Sequence, residues 1–434
     1  MFSRRHFLWL SSLAAGASAV PASAAQRPQG EGAGDGALPP SIAGLTSMKS
    51  QAKPITTEER QARIERARAL MVQSKIDAIL LAGGTSLDYF TGMRWGNSER
   101  LFAVVIPAKG NPFAVGPAFE EERARELLVS GPLAKTDVIT WQEDESPFER
   151  VALGLKAVGI STGRLGIEET VKFVFADSVA AAAPGITLTS ASPVTAGCRM
   201  VKTAHELALM KLANQVTLKA YEAAYKALQP GMTQNHVSSL VSQAHSRLGF
   251  TGHAGPQVGE YSALPHGSIQ PQVIKEGTIV MMDGGCTVEG YQSDITRTFV
   301  LGKATDKMKR VFDLVHKAQS AALAAAKPGV SLASVDAAAR KVIVDGGFGP
   351  GFKYFTHRVG HGIGMDGHEW PYLVNNNMFG WERTPPLAAG MAFSDEPGIY
   401  IRGEFGVRLE DDMFITENGA ELFTPQSPSI EQPY

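Results

Sequence analysis

Residues 281–299 read MMDGGCTVEGYQSDITRTF, and this stretch decides how the rest of the chain is interpreted. Its apolar ends and Gly-containing centre predict a β-hairpin with Asp283 and Asp294 on opposite strands. A two-residue turn at Val288-Glu289 would pair the two aspartates, and sliding the turn by one residue keeps both carboxylates on one face. Opposed Cβ atoms lie about 5 Å apart, so the charges would repel unless a cation lay between them or one carboxylate took up a proton. The hairpin therefore predicts half of a metal site.

The composition is that of an ordinary globular protein. The chain has 434 residues, enough for two or three domains, with 44% hydrophobic and 19% charged residues. A formal net charge of -2 gives no overall attraction to nucleic acid or to an anionic membrane, so neither is a predicted partner. Two cysteines, Cys198 and Cys286, are too few for a disulfide scaffold. We interpret Cys286 as a core residue, and a bridge between the two cysteines is the less favoured alternative.

The N-terminal residues have the pattern of an export signal. Residues 3–8 read SRRHFL, an apolar run follows from Leu8 to Val20, and Ala22-Ser23-Ala24 offers a small-residue cleavage site. The run is short for a membrane span, which makes an uncleaved anchor the less favoured alternative. We therefore predict a twin-arginine signal peptide at residues 1–25 and a periplasmic or otherwise exported protein without stable membrane insertion after cleavage. Residues 26–55, rich in Gly, Pro, Ala and Ser, are predicted to be a flexible linker.

Residues 56–200 are predicted to form an α/β domain, because helix and strand patterns alternate along them. Thr56 and Glu59 have the spacing of a capping box at the start of the first helix. The predicted strands are 76–82, 101–107, 112–116, 137–141 and 164–168, with helices at 119–128 and 147–158. No glycine-rich phosphate loop follows these strands, and the region shows no catalytic constellation, so nucleotide binding is not supported.

Residues 201–434 are predicted to form a second domain that contains an internal duplication. Thr203 begins a long helix that is predicted to end at Pro230-Gly231. The phrase ALQPGMT at 227–233 recurs as AAKPGVS at 325–331, an offset of 98 (325 minus 227), and Gly249-Phe250 recurs at the same offset. Two echoes at one offset indicate a duplication.

The duplication predicts a counterpart of the first hairpin, and residues 393–410 provide it. A three-residue loop centred on Gly403 would place Glu396 opposite Glu410. Between the two hairpins, residues 356–369 read THRVGHGIGMDGHE and include His361. Four carboxylates and one imidazole are enough for two divalent ions with bridging oxygens. Oxygen-rich ligation favours manganese, with cobalt, iron and zinc as the alternatives.

Each of these signals also has an ordinary structural explanation. An aspartate pair in one hairpin is more often a solvated face, and a single histidine is more often on the surface or in a satisfied core. Arg297 and Arg408 could be structural partners of neighbouring carboxylates, and for Arg297 we prefer that explanation. Structural ion-pair networks also gather carboxylates, but three separate signals agree on one cluster, so we favour the metal site.

Taken together, the motifs resemble those of a known family. Residues from about 203 to 425 resemble the pita-bread metallopeptidases, which include methionine aminopeptidases, Xaa-Pro aminopeptidases, prolidases and creatinase; the matching phrases are MDGG, GYQSDITRTF, HRVGHGIGMDGHE, SDEPGIY and GVRLEDD. Residues 56 to about 197 resemble, through weaker motifs, the N-terminal domain of the Xaa-Pro peptidase and creatinase branch. The resemblance implies a creatinase-like α/β domain followed by an α+β pita-bread catalytic domain with pseudo-two-fold duplication. Methionine aminopeptidases lack the first domain and creatinase-like members lack the metal ligands, which leaves an Xaa-Pro aminopeptidase or dipeptidase.

The resemblance also implies roles for individual residues. The ligands of the two metal ions would be Asp283, Asp294, His361, Glu396 and Glu410. Asp294 and Glu410 would bridge the ions. The remaining active-site positions match His266 in the phrase LPHG, His357, His368 and Arg408. Asp395 departs from the family, whose members often carry a less acidic residue there; the extra acid would alter metal preference or face solvent.

The predicted chemistry is hydrolysis of the peptide bond before proline. A hydroxide bridging two cations is available near neutral pH and can attack a peptide carbonyl. Glu396 would carry the proton to the leaving nitrogen, while His357 and His368 would donate hydrogen bonds to the oxyanion. The predicted partner is a short proline-containing peptide, and the family resemblance implies a homodimer or homotetramer. A non-catalytic peptide-binding member of the fold and a hydrolase of non-peptide amides are the alternatives.

Overall fold

The computed structural model describes residues 37–375 and 385–434. The predicted signal peptide at 1–25 and the first part of the predicted linker lie outside the described residues. The second part of that linker differs from the prediction, because it contains helix α1 (Pro40–Ala43) and a 3₁₀ turn at Lys49–Gln51. Ile42, Met48 and Ile55 are buried in the core of the C-terminal domain. The linker prediction is therefore wrong for this part: three apolar side chains among Gly and Pro residues are enough to fix the segment in place.

The N-terminal domain has a six-stranded mixed sheet between two layers of helices. The helices are α2 (Thr57–Ser74), α3 (Thr85–Thr91), α4 (Glu121–Val129), α5 (Pro147–Ala157), α6 (Phe173–Ala182) and α7 (Ser192–Arg199). The strands are β1 (Ala78–Ala82), β2 (Ala103–Pro107), β3 (Phe113–Pro117), β4 (Asp137–Trp141), β5 (Gly163–Ile167) and β6 (Ile186–Ser190). Their order is β4-β3-β2-β1-β5-β6, with β2 antiparallel to both neighbours and the other pairs parallel.

Strand β1 shows why the sheet is covered on both faces. Ile79 and Leu81 belong to one apolar core, whereas Ala78, Leu80 and Ala82 belong to the core on the opposite face. A strand buried on both sides appears in the sequence as a continuous apolar run, and residues 78–82 read AILLA. The α/β architecture of this domain is confirmed.

The C-terminal domain repeats a helix pair followed by a hairpin. The helices are α8 (Ala204–Tyr225) and α9 (Gln234–Leu248) in the first half, and α10 (Asp306–Ala325) and α11 (Leu332–Asp345) in the second. The strands of the first half are β7 (Thr251–Gly252), β8 (Gln257–Val258), β9 (Ile279–Gly284), β10 (Cys286–Val288), β11 (Tyr291–Gln292) and β12 (Ile295–Val300). Those of the second are β13 (Gly360–Gly362), β14 (Glu369–Leu373), β15 (Ala392–Asp395), β16 (Gly398–Ile401), β17 (Phe405–Arg408), β18 (Asp411–Thr416) and β19 (Gly419–Leu422). The first helix ends at Tyr225, five positions before the predicted stop at Pro230.

The first hairpin has a turn one residue later than Val288-Glu289. Val288 pairs with Tyr291, so the turn is Glu289-Gly290, with φ values of 50° and 91°. Two central residues with positive φ are typical of the turn that matches strand twist, and glycine takes this conformation without strain. Asp283 consequently pairs with Thr296 rather than with Asp294. Both aspartates still lie on the same face, as predicted for a turn shifted by one residue.

The second hairpin has the predicted register. Gly398 pairs with Arg408 around the loop Arg402-Gly403-Glu404, and Asp395 pairs with Asp411 further along the same two chain segments. Glu396 and Glu410 occupy the opposed positions between these two ladders. The predicted pairing of the two glutamates is confirmed.

The two cysteines are not bridged. Cys198 and Cys286 are both free thiols, buried in separate apolar cores, so the alternative of a bridge between them is wrong. Among the residues that the structure describes, no helix combines the length and the apolarity that crossing a membrane requires.

Candidate metal centre

The predicted ligands converge on one cluster at the meeting point of the two halves. Three overlapping groups each place their ligand atoms within 4.8 Å of one another; the groups are Asp283, Asp294 and Glu410; His361, Glu396 and Glu410; and Asp294, His361 and His368. All five predicted ligand positions are therefore close together. His368 joins them at the edge of the cluster.

The first hairpin supplies Asp283 and Asp294. Asp283 stands near the end of β9, where its Oδ2 accepts a hydrogen bond of 2.6 Å from Nη2 of Arg408. Asp294 lies in the break between β11 and β12, and its backbone N–H donates to Oδ2 of Asp412 at 2.9 Å. Gly285 makes the break feasible, because a Cβ atom at this position would lie 1.7 Å from the carbonyl oxygen of Ser293. The two backbones approach too closely for any side chain there.

The second hairpin supplies Glu396 and Glu410. The backbone N–H of Glu396 donates to the carbonyl oxygen of Val359 at 2.8 Å, which ties this hairpin to the strand before His361. Glu410 Oε2 lies 2.6 Å from the hydroxyl of Thr296, and the same hydroxyl lies 3.0 Å from Asp283 Oδ1. Thr296 thus connects a carboxylate of each half.

His361 lies on β13, between β14 and β15. Its Nδ1 donates to the carbonyl oxygen of Gly362 at 3.2 Å, which directs the lone pair of Nε2 into the cluster. Nε2 lies 3.4 Å from Glu396 Oε1 and 3.9 Å from Asp294 Oδ2. The glycine before it is required, because a Cβ at Gly360 would lie 2.0 Å from the carbonyl oxygen of Ser394. The GHG phrase is therefore a close contact between strands.

Burial and mutual repulsion shape the electrostatics of the cluster. Burial raises the pKa of Asp294 and of Glu410 well above the ordinary value, and the neighbouring carboxylates act in the same direction. Burial likewise raises the pKa of Glu396 to about 7, with Arg408 opposing the rise. Burial lowers the pKa of His361 far below its usual range, so the ring is neutral and able to act as a ligand. Carboxylates held together against repulsion are what divalent cations neutralise, and the residues fit such ions.

The other predicted active-site residues surround this cluster. Nδ1 of His357 donates to the carbonyl oxygen of Arg358 at 2.8 Å, and Nε2 accepts from the hydroxyl of Tyr400 at 2.7 Å. Burial lowers the pKa of this ring to about 3, so it is neutral. His368 is exposed at the rim and stacks on His361 with ring centroids 3.6 Å apart. His266 is also exposed; the carbonyl of the preceding Pro265 accepts a hydrogen bond of 3.1 Å from Arg408 Nη1. All of the predicted site residues therefore lie in or beside one region.

Several residues of the cluster were not singled out from the sequence. Thr296 and Tyr400 connect the carboxylates and histidines described above, and Ser394 donates to Glu396 Oε1 at 3.3 Å. Thr296 stands two residues after Asp294 and Ser394 two before Glu396, so strand alternation places each on the face of its ligand. The two-residue periodicity of the strands could therefore have identified both residues from the sequence.

Two further residues point away from the ligands. Arg297 is buried and donates to Asp411 Oδ1 at 2.6 Å, so its role as a structural partner is confirmed. Asp395 is fully buried, which makes its solvent-facing alternative wrong. Its register partner is Asp411, on the side of the strand pair away from Glu396.

The chain is similar to known metallopeptidases along both domains. Residues 63–201 match the creatinase/prolidase N-terminal domain, and residues 208–417 match metallopeptidase family M24. The Xaa-Pro dipeptidase of Lactobacillus delbrueckii subsp. lactis is 31% identical over 374 residues, covering 85% of this chain and 98% of the relative. The crystal structure of dipeptidase PepE from Mycobacterium ulcerans has a TM-score of 0.80 at 33% identity, covering 87% of this chain and 99% of that one. The Xaa-Pro dipeptidase from Bacillus anthracis has a TM-score of 0.71 at 31% identity, covering 84% and 98%.

These relatives contradict the predicted localisation. They carry the names Xaa-Pro dipeptidase and probable dipeptidase, and 85% of this chain accounts for 98% of the first of them, so the prediction of a periplasmic or exported protein is wrong. That prediction depended on a short compositional pattern at residues 3–24, which lie outside the described residues. The relatives, in contrast, match more than four fifths of the chain.

Membership follows from the length of these matches together with the cluster of ligands that both halves build. The two domains carry the two family signatures, and the two relatives named above exceed 30% identity over most of each chain. The protein accordingly belongs to metallopeptidase family M24, in its Xaa-Pro peptidase branch, and is a metallo-exopeptidase.

Proposed function

We propose that this protein is an Xaa-Pro dipeptidase, a prolidase, that works with two divalent metal ions. The observation that carries the proposal is the convergence of four carboxylates from two separate hairpins with the Nε2 atom of His361 on β13. The choice of a dipeptidase over an aminopeptidase is supported by three relatives of 31–32% identity that are named dipeptidases.

The overlap of the ligand groups supports an assignment of roles. Glu410 belongs to the group with Asp283 and to the group with His361, and Asp294 likewise belongs to two groups. These two carboxylates would bridge the ions, with Asp283 on one side and His361 and Glu396 on the other. Oxygen ligands favour manganese. When bound, the ions would act as Lewis acids and would make a water acidic enough to attack near neutral pH.

Glu396 is the proton carrier in this proposal. Its carboxylate lies 3.3 Å from the hydroxyl of Ser394 and 3.8 Å from Nδ1 of His357, at the inner wall of the site. The nitrogen of a scissile Xaa-Pro bond carries no hydrogen, so it has to receive a proton before it leaves. A carboxylate that takes a proton from the attacking water and delivers it to this nitrogen serves both steps.

The exposed histidines would contact the substrate, and Arg408 would hold the protein groups around it. The neutral ring of His357 donates its only N–H, on Nδ1, to the carbonyl oxygen of Arg358, and its Nε2 accepts from the hydroxyl of Tyr400, so His357 would position Tyr400 beside the centre. His368 and His266 are exposed at the rim, where they can reach a bound dipeptide. Arg408 is buried and holds Asp283, Tyr400 and the carbonyl of Pro265 in place.

Three substrates separate the proposal from its alternatives. The protein, stripped with a chelator and reloaded with manganese, is offered Ala-Pro, Ala-Pro-Ala and Ala-Ala. We expect hydrolysis of Ala-Pro, whereas cleavage of the tripeptide would show an aminopeptidase. No cleavage of any peptide would favour a binding protein or a hydrolase of other amides.

The ligand assignment has its own variant. His361→Ala removes the imidazole ligand, and we expect loss of Ala-Pro hydrolysis together with loss of bound metal by elemental analysis. The control is His236→Ala, since His236 is an exposed histidine at the start of α9. Undiminished hydrolysis in His361→Ala would overturn the metal centre.

We also propose that the protein is a homodimer or homotetramer, as the family resemblance implies. Light scattering of the purified protein measures the mass of the assembly directly. A mass of 46.3 kDa, that of one chain, would contradict this part of the proposal.

A further inference from the structure

The turn that carries His368 is held by charged side chains of another part of the chain. Residues 363–368 connect β13, which holds His361, to β14, whose first residue is Glu369. Glu369 is buried, and its Oε1 accepts a hydrogen bond of 2.8 Å from Nζ of Lys202. Its Oε2 accepts from Nη2 of Arg199 at 2.5 Å. A single carboxylate thus receives two cations at the base of the turn.

Arg199 fastens the turn at a second point. The same Nη2 atom contacts Oδ2 of Asp366 at 2.5 Å, and Oδ1 of Asp366 accepts from the hydroxyl of Thr85 at 2.6 Å. Arg199 is the last residue of α7, and Thr85 is the first residue of α3. Asp366 in the middle of the turn and Glu369 directly after it are therefore both bound to the N-terminal domain, at positions 167 to 281 residues earlier in the chain.

The backbone of the turn wraps around the carboxylate of Glu369. A Cβ atom at Gly364 would lie 2.4 Å from Glu369 Oε1 and 3.0 Å from Cε of Lys202. With so little room, the carboxylate cannot move without moving the turn. Burial opposes ionisation of Glu369, but Lys202 and Arg199 outweigh it and hold the pKa of this carboxyl below its ordinary value. Glu369 is thus an ionised anchor.

His368 is the residue before this anchor, and its ring stacks on the ligand His361. We propose that Arg199 and Lys202 are positioning residues: through Glu369 and Asp366 they fix the turn so that His368 faces the metal centre. The N-terminal domain would then contribute to catalysis without touching the substrate. The catalytic part of this inference rests on the proposed peptidase function, whereas the fixing of the turn does not.

The kinetic test is a double-mutant cycle on Ala-Pro hydrolysis. Arg199→Gln should lower kcat about 10- to 100-fold, because a displacement of His368 by about 1 Å can reduce the rate of the chemical step by up to about 100-fold. KM should change less. In a His368→Ala background the same substitution should cost less than about 2-fold, since both changes act on one group. Arg199→Lys, which keeps one charged donor, should recover part of the loss.

A matched control removes a different buried arginine that joins the domains. Arg63 on α2 is buried and donates to Glu206 Oε1 at 2.9 Å and to the hydroxyl of Tyr291, without contact to the turn. Arg63→Gln should combine additively with His368→Ala. Equal fold losses from Arg199→Gln with and without His368 would overturn the positioning role.

A second measurement does not depend on activity. Hydrogen exchange of the peptide covering residues 363–369 should become faster in Arg199→Gln and in Lys202→Met, and stay unchanged in Arg63→Gln. Unchanged hydrogen exchange in all three variants would contradict the claim that Arg199 and Lys202 fix the turn. If the wild-type protein cleaved no Xaa-Pro peptide, the proposed function would fail, and the exchange data would still decide whether the turn is held by Arg199.

Discussion

At the scale of single residues, the hydrogen bonds of each side chain determine which of its atoms faces the carboxylates of the centre. The Nδ1 of His361 is occupied by Gly362, so Nε2 faces Asp294 and Glu396. The sequence predicted that all five of the proposed ligands lie together, because two hairpin patterns and one GHG phrase are local signals. It did not single out Thr296, whose hydroxyl joins Asp283 to Glu410, since a threonine in a strand is common for many reasons.

The raised pKa of Glu396 predicts how the metal-free protein responds to pH. An unfolded glutamate loses its proton near pH 4.5, whereas burial keeps Glu396 protonated in the folded state to about pH 7. Between these values the folded state binds more protons, so we expect the free energy of unfolding to fall as pH rises from about 4.5 to 7. Urea unfolding of chelator-treated protein at several pH values measures this. The control is Glu396→Gln, which should flatten the dependence; an unchanged slope in that variant would assign the effect elsewhere.

At the scale of elements, the two hairpins differ in how well their turns were predicted. The loop centred on Gly403 was correct, because a single glycine among non-glycine neighbours marks the position with positive φ. The turn of the first hairpin was placed one residue early, since Glu289 adopts a positive φ of 50° that a glutamate seldom takes. In both cases the alternation of the strands preserved the shared face, which is why the predicted carboxylates lie together although one register was wrong.

Strand packing around β13 yields a test at this scale. Gly360→Ala would place a methyl group 2.0 Å from the carbonyl of Ser394, so β13 has to move away from β15 and carry His361 with it. We expect a loss of more than about 2 kcal/mol in the free energy of unfolding, as for other overpacked sites, together with weaker manganese binding. Calorimetry of metal titration and urea unfolding measure the two effects. Gly96→Ala, where the new methyl meets open space, is the control and should change neither.

At the scale of the whole molecule, the sequence was sufficient to predict two successive domains, but it did not predict the contacts between them. The alternating pattern of residues 56–200 and the duplication after residue 203 were sufficient to predict two domains. The ion pairs from Arg199 and Lys202 to Glu369 join positions roughly 170 apart, and no periodicity links such positions. The segment 39–55 was mistaken for a linker because its Gly and Pro content outweighed three apolar residues.

The ordered segment before α2 provides the whole-molecule prediction. Ile42 is fully buried against α8 and α9, so Ile42→Ala should lower the free energy of unfolding by about 2–4 kcal/mol. Val72→Ala is the control, since Val72 is 61% exposed and such a change usually costs less than about 0.5 kcal/mol. Equal stability of the two variants in urea would show that the segment is a linker after all.

Thr296 of the first hairpin contacts Glu410 of the second, and the two hairpins lie in different halves of a duplicated domain. The ions would be held by carboxylates of both halves. A metal in this place is a removable cross-link between halves, and its binding energy is added to the energy of folding. At a free metal concentration a hundred times the dissociation constant, that addition is about 2.7 kcal/mol. The same supply of metal would then set both how fast the protein works and how long it survives in the face of proteolysis.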